Sequence, residues 1–100
     1  MSEWGYAPNV QETTPTQGTG DYALAGPVPD FEALRDRYAD GARPFLVITD
    51  GDGNREWGVY TLTHGDPDTL ARTEILGSTN GGAAVNWPDT SDKHVYSAPL

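Results

Sequence analysis

The sequence predicts a single, mainly β domain: an antiparallel β-sandwich or barrel-like domain with one short helix. Short runs of β-branched and aromatic residues recur along the chain, and clusters of Gly, Pro, Asn and Asp separate them. The length of 100 residues fits one domain. Only one segment, about 30–40, has helical periodicity.

The beginning of the chain is predicted to form an arm followed by a β-hairpin. Residues 1–8 make an N-terminal arm that carries Trp4 and Tyr6, and a single β-rich domain is expected over residues 9–100. Residues 10–14 and 21–25 have strand character, and the Gly-rich stretch between them indicates the hairpin loop.

The helix is predicted from three features of residues 30–40. Asp30 is placed to cap the first turn, and Gly41 is placed to end the last one. Phe31, Leu34 and Tyr38 recur at a spacing that gives one apolar face. Three turns are too few for an isolated helix, so this one must pack on the sheet.

The remaining strands follow the turn signals. Residues 43–49 form the most apolar run and are predicted to be a central strand, with residues 56–63 returning beside it as a hairpin. Three more strands are expected before the end of the chain, over residues 69–76, 83–87 and 93–98.

The composition excludes several classes of function. The chain has 15 acidic and 6 basic residues and a net charge of -9, so nucleic acids and anionic membranes should repel it. It contains no cysteine, which excludes disulfides, thiolate metal sites and cysteine nucleophiles. No apolar run is long enough to span a membrane, and the N-terminus lacks the pattern of a secretory signal.

The turn at residues 50–54 partly matches a calcium loop. Asp50, Asp52 and Asn54 occupy the first three ligand positions of an EF-hand. Arg55 stands where that loop needs Gly, and Thr61 stands where it needs Glu. We interpret the segment as a hairpin turn, with a weak cation site as the alternative.

No pattern of residues indicates catalysis, a metal centre or a cofactor. His64 and His94 are the only histidines, which are too few for a histidine-rich zinc site. No serine lies in a nucleophile-elbow pattern. Glu56 and Arg72 lie on neighbouring predicted strands and are expected to face each other as a structural pair.

A resemblance to a known group of proteins covers most of the chain, including the opening at residues 10–14, 18–20 and 24–26 and the closing KHVYSAPL, and three segments carry most of it. They read EWGVYT from Glu56, LAR from Leu70 with IL at residues 75–76, and STNGGAAVNW from Ser78. In this order they resemble small bacteriophage virion proteins of the tail and tail-fibre region, in which W-E, L-x-R and S-S-N-G-G-A-A-V-N-F are typical. The chain departs from that pattern by its Glu-Trp order, by Trp87 in place of a smaller aromatic residue, and by a more charged and helical segment at 31–39.

The resemblance implies a non-enzymatic virion structural protein of the tail or tail-fibre attachment region, which assembles in the cytoplasm of the host bacterium. Its partners would be copies of itself, as a trimer or ring, and other virion proteins. The alternatives are a head decoration or connector protein, and a carbohydrate-binding module that recognises a host-surface glycan through aromatic residues. The candidate partner-binding residues are those of the arm and of the loop tips: Trp4, Tyr6, His64, Asp66, Asn80 and Trp87.

Overall fold

The computed structural model describes Ala7 and residues 9–97, which form an antiparallel seven-stranded sheet that curls into a half-barrel. The prediction of a mainly β, antiparallel fold is therefore confirmed. The strands are β1 (Gln11–Thr14), β2 (Tyr22–Ala23), β3 (Gly26–Pro27), β4 (Phe45–Thr49), β5 (Arg55–Thr63), β6 (Thr69–Ser78) and β7 (Lys93–Ser97). Their spatial order in the sheet is β2-β6-β5-β4-β7-β1-β3.

The predicted central strand and its hairpin are both confirmed. β4 lies at the middle of the strand order and pairs with β5 from Phe45↔Val59 to Thr49↔Arg55. Its other edge pairs with β7. Burial alternates along β4 and β5, so one face of each strand points into the curl and the other points out.

A short segment at residues 22–28 lies along both edges of the curled sheet. Its first half pairs with β6, and the amide of Leu24 donates to the carbonyl of Asp68 at 2.9 Å. Its second half pairs with β1, and the amide of Ala25 donates to the carbonyl of Thr13 at 2.8 Å. One extended segment therefore bridges the two ends of the strand order and satisfies edge groups on both sides.

The helix predicted at about 30–40 is wrong except for one 3-10 turn over Leu34–Asp36. Asp30 has a positive φ of 71°, which is incompatible with a right-handed helix. Glu32 is engaged in a parallel bridge to Val10, and its amide donates to the carbonyl of Asn9 at 2.8 Å. Pairing with the chain near β1 holds this backbone extended, and of the three apolar residues at the helical spacing Leu34 and Tyr38 are buried whereas Phe31 is exposed.

Two other strand predictions are corrected. β1 and β2 do not form a hairpin, since β1 pairs with β7 and β3 whereas β2 pairs with β6. Residues 83–87 do not form a sheet strand, because they make only isolated bridges, Asn80↔Ala83 and Gly18↔Trp87. Residues 10–14 and 21–25 thus pair with distant strands instead of each other, whereas residues 83–87 bridge only to Asn80 and Gly18, which lie outside the sheet.

The core fills the inside of the curl. Its largest buried residues include four aromatic side chains, Tyr22, Tyr38, Tyr60 and Trp87, together with Leu34, Leu46, Ile48, Leu62 and Leu70. Polar side chains are buried among them, namely Glu12, Thr14, Glu56, Lys93 and Ser97. Buried carboxylates and a buried ammonium are costly unless they are paired, so the partners of these residues are central to the candidate site.

Candidate functional site

The carboxylate of Glu56 is the centre of a buried polar network. Glu56 is fully buried on the inner face of β5. Its Oε2 accepts hydrogen bonds from the hydroxyls of Tyr22 at 2.7 Å and Tyr60 at 2.9 Å. Its Oε1 accepts one from the amide of Val85 at 2.9 Å. The carboxylate therefore has a donor on each oxygen without any contribution from solvent.

Arg72 supplies the charge that opposes Glu56. Its Nε lies 3.1 Å from Oε2 of Glu56, as an ion pair whose angle does not give a hydrogen bond. One terminal nitrogen donates to the hydroxyl of Tyr22 at 2.5 Å and to the carbonyl of Val85 at 3.2 Å. The guanidinium also lies 4.4 Å from the centre of the Tyr22 ring. The predicted pairing of Glu56 with Arg72 is confirmed.

The network connects four parts of the chain that are far apart in sequence. Trp87 donates its indole N–H to the hydroxyl of Tyr22 at 2.8 Å, which brings the segment at 83–87 onto the closing strand β2. Val85 and Gly18 contribute backbone groups. These contacts join β2, β5, β6 and the segment after β6 to one another through a single network.

Both tyrosines are held protonated by their surroundings. Burial raises the pKa of Tyr22 and of Tyr60 well above the ordinary value for tyrosine, and the neighbouring charge of Glu56 raises both further. Each hydroxyl donates to the carboxylate, so neither is arranged to act as a proton acceptor at neutral pH. The two hydroxyls and the Glu56 carboxylate are therefore hydrogen-bonded to each other, as expected for a structural network.

A second buried carboxylate, Glu12, lies on the inner face of β1. Its Oε2 accepts a hydrogen bond from the amide of Leu34 at 2.7 Å, which fixes the start of the 3-10 turn. Burial raises the pKa of Glu12, and the charge of Asp68 raises it further. Asp68 is itself paired with Arg35, whose Nε lies 3.1 Å away.

Lys93 is buried beside Trp87. Its ammonium donates to the carbonyl of Asp89 at 2.5 Å and reaches the carbonyl of Pro15 at 3.5 Å. It also lies 5.9 Å from the centre of the Trp87 ring. The Lys93 side chain therefore ties the loop before β7 to the end of β1.

The predicted loop-tip residues lie at opposite ends of the β5–β6 pair. His64 follows β5, where its amide donates to Asp40 at 2.8 Å and its Nε2 lies 3.0 Å from the carbonyl of Tyr38. Asp66 is exposed in the same turn. Asn80 follows β6, and its side-chain amide donates to the carbonyl of Ala84 at 2.9 Å. A ten-residue strand is about 30 Å long, so the two tips do not form one surface.

Of the other predicted partner-binding residues, the structure describes only Trp87. Its side chain is 1% exposed, so almost none of it is accessible to a partner in the folded chain. Its indole N–H instead donates to the hydroxyl of Tyr22. Trp4 and Tyr6 lie outside the described residues.

The turn at residues 50–54 uses its carboxylate internally. Oδ1 of Asp50 accepts from the amides of Asp52 at 2.8 Å and Asn54 at 3.2 Å, and Oδ2 accepts from the Asn54 side chain at 2.8 Å. Although desolvation opposes ionisation, these hydrogen bonds lower the pKa of Asp50. Within Ala7 and residues 9–97, no group of three or more His, Cys, Asp or Glu side chains is placed to hold a metal ion.

Sequence reasoning missed the inward-facing acids and the buried lysine, although the alternation of the strands contains the signal. Glu56 has the same parity as Tyr60 and Leu62 on β5, and Lys93 has the same parity as Val95 on β7. Glu12 likewise alternates in phase with Thr14. Arg72 was predicted to face Glu56, but the other partners of these groups come from distant segments and have no local signal.

Comparison with known proteins identifies no relative: no family model, no curated protein and no solved structure matches this chain. Among the residues that the structure describes, no helix has the length and apolar character needed to cross a bilayer.

Proposed function

We propose that this protein is a non-enzymatic structural component of a bacteriophage particle, in the tail or the tail-fibre attachment region. It assembles there with copies of itself and with neighbouring virion proteins. The proposal rests on the sequence resemblance, and one structural observation supports it: the three segments that carry most of the resemblance contribute to the same buried network.

The first segment provides Glu56 and Tyr60, the second provides Arg72, and the third provides Val85 and Trp87. These segments are separated in sequence, and their side chains and backbone groups meet around one carboxylate. A motif that converges inside the molecule encodes a fold, whereas a motif for catalysis or recognition would converge on an accessible cleft.

A structural function also agrees with the state of the polar groups. The Glu56 carboxylate has donors on both oxygens, and both tyrosine hydroxyls are engaged with it. A general acid or base needs a titratable group within reach of substrate, and this network presents none to solvent.

The carbohydrate-binding alternative loses three of the five aromatic residues that could form a sugar platform. Trp87, Tyr22 and Tyr60 are buried, whereas Trp57 and Tyr96 remain partly exposed. Sugar recognition by stacking needs the face of an aromatic ring to be accessible.

The proposal is tested on particles from the phage or prophage that carries the gene. The gene is interrupted by a nonsense codon, and particles are raised in a suppressor and in a non-suppressor host. Mass spectrometry of purified wild-type particles should detect the chain. Electron microscopy of the non-suppressed particles should show missing or unattached tail fibres with intact heads.

Absence of the chain from purified particles, with normal plaque formation by the interrupted phage, would refute the proposal. Defective heads with normal tails would instead support the decoration or connector alternative. Gene order gives an independent comparison, because tail genes as neighbours favour the first location and capsid genes favour the second.

A further inference from the structure

We propose that the outer face of β4, β5 and β7 is a self-association surface, and that its occupant is the same face of a second copy of this chain. The proposal deepens the proposed function, on which it rests for the expectation of self-assembly. It is carried by the shape of this face, its apolar centre and the distribution of charge around the molecule.

The centre of this face is apolar and lies on three neighbouring strands. Val47 on β4 pairs with Trp57 on β5 and with Tyr96 on β7. Phe45 and Val59 pair in the next row. All five side chains are half-buried on the face that points away from the core. We call these five residues the outer patch.

The outer patch contains an open recess of about 320 Å³. It is lined by Phe45, Val47, Trp57 and Tyr96, together with Arg55. The recess is shallow and open, and its aromatic walls offer apolar contact to a side chain from another surface, as at the anchoring points of protein interfaces. Aromatic residues and Arg are also the residue types enriched at such points.

The Trp57 ring is fixed in place before any partner binds. It lies over Gly77 on β6, where an added Cβ would come within 2.3 Å of a ring atom. The guanidinium of Arg55 lies 5.8 Å from the centre of the same ring. A side chain that is already ordered loses little conformational entropy on binding, so the patch is preorganised for association.

The charge distribution favours a second copy as the occupant. The outward positions of β1, β4, β5 and β7 contain no carboxylate, although the chain has 15 acidic residues and a net charge of -9. These positions are Gln11, Thr13, Phe45, Val47, Thr49, Arg55, Trp57, Val59, Thr61, Thr63, His94 and Tyr96.

Two copies of so acidic a chain repel each other, and contact through these outward positions would bring no carboxylates of β1, β4, β5 or β7 together. A basic partner would instead bind the exposed carboxylates, most of which lie in the connecting segments of the described chain. The polar, uncharged positions around the patch, such as Thr49 and Thr61, give the rim that protein interfaces have around an apolar core.

Contact between matching faces is favoured over contact with another part of the second copy. Facing sheets pack about 10 Å apart, and a two-fold axis through the patch would place each acid-free face against the other. An arrangement with the patch against β6 of the second copy would add a carboxylate, because the outward Glu74 borders Val59. Only Arg55 is available on the described face to offset such charges.

The test is the mass of the purified full chain over a concentration series, by sedimentation equilibrium. We expect a monomer–dimer equilibrium. Val47→Glu places a carboxylate at the centre of the patch and should weaken the association constant about 30-fold or more, the effect of an interface hot spot. Thr63→Glu is the matched control, because it adds the same charge at an outward, exposed position on β5 beyond the patch.

Circular dichroism and thermal unfolding check that both variants remain folded. A wild-type chain that is monomeric at every concentration would overturn the proposal, as would a dimer that Val47→Glu and Thr63→Glu affect equally. A trimeric mass would place another surface against the patch and would also overturn the face-to-face contact.

A second measurement keeps the proposal testable if a variant is less stable. Val47→Glu and Val47→Lys chains should each be monomeric and should form a mixed dimer when combined, since position 47 of one copy would lie near position 47 of the other. Failure of the mixture to associate would refute the matched faces. The outcome is independent of particle composition, so a dimer from a chain that is absent from particles would refute only the proposed function.

Discussion

At the scale of single residues, this protein concentrates its polar chemistry in its interior. Glu56 and Arg72 form an ion pair whose side chains are 0% and 6% exposed, and two tyrosine hydroxyls share the carboxylate. Desolvation of a buried ion pair opposes much of its attraction, so such a pair adds less to stability than its removal costs. The pair contributes instead to the specificity of the fold, because its groups are satisfied only when β5, β6 and the segments bonded to them come together.

A double-mutant cycle on Glu56→Gln and Arg72→Met tests this account. Each single variant should lose about 3–5 kcal/mol of unfolding free energy, because the remaining partner is left buried without compensation. The double variant should lose less than the sum by about 1–3 kcal/mol. Urea unfolding measures the three differences.

Glu32→Gln is the control for that cycle. It removes the exposed ion pair with Arg37 and should cost less than about 1 kcal/mol. Additive losses at Glu56 and Arg72 would contradict the description of the two side chains as one unit.

Removing the charge of Glu12 should stabilise the chain, whereas removing that of Glu56 or Arg72 should destabilise it. Because burial raises the pKa of Glu12 in the folded chain, the folded state binds the proton more tightly than the unfolded state. The contribution of Glu12 is therefore fully present below the ordinary pKa of 4.5 and is lost as the pH rises through the raised value. Glu12→Gln keeps an acceptor for the amide of Leu34 and removes the charge, so it should stabilise the chain at neutral pH.

The measurement for Glu12 is thermal unfolding of both chains from acidic to neutral pH. The advantage of Glu12→Gln should be largest at neutral pH and should shrink towards pH 4.5 and below. An advantage that is constant with pH would show that the charge of Glu12 is not its cause.

At the scale of elements, the β5–β6 pair depends on two close approaches of the backbone. Gly58 lies where an added Cβ would come within 2.1 Å of the carbonyl oxygen of Glu74, next to an irregularity in the register. Gly77 lies beneath the Trp57 ring. The register of this pair is therefore fixed by residues without side chains as well as by the alternation of apolar residues.

Gly58→Ala should destabilise the chain by roughly 3 kcal/mol or more, because a backbone carbonyl cannot move away as a flexible side chain can. Gly20→Ala is the matched control, since no atom lies within 4 Å of its added Cβ and its φ is outside the left-handed region. It should be neutral or stabilise by up to about 1 kcal/mol. Denaturant midpoints compare the two, and equal midpoints would refute the close approach.

At the scale of the whole molecule, the half-barrel is completed by the segment at residues 22–28. Its amides alternate between the two edges of the sheet: Leu24 donates to Asp68, whereas Ala25 and Val28 donate to Thr13 and Gln11. A short segment of this kind would be open to solvent exchange if it were a loop. As a bridge between edges, it should open only when the sheet opens.

Amide hydrogen exchange followed by NMR tests the bridge. The amides of Leu24, Ala25 and Val28 should exchange as slowly as those of the central strand β4 and about 100-fold or more slower than the amide of exposed Gly20. Rates near that of Gly20 would mean that residues 22–28 do not bridge the edges in solution.

The sequence by itself determined the mainly β fold, the central hairpin of β4 and β5, and the pairing of Glu56 with Arg72. These follow from alternation and from turns, which are local properties of the chain. Only the tertiary structure decided that residues 30–40 are not a helix, because pairing of Glu32 with the chain near Val10 competes with local periodicity. It also decided that Trp87 faces inward and that residues 22–28 bridge both edges, since these contacts join segments that are distant in sequence and have no local signal.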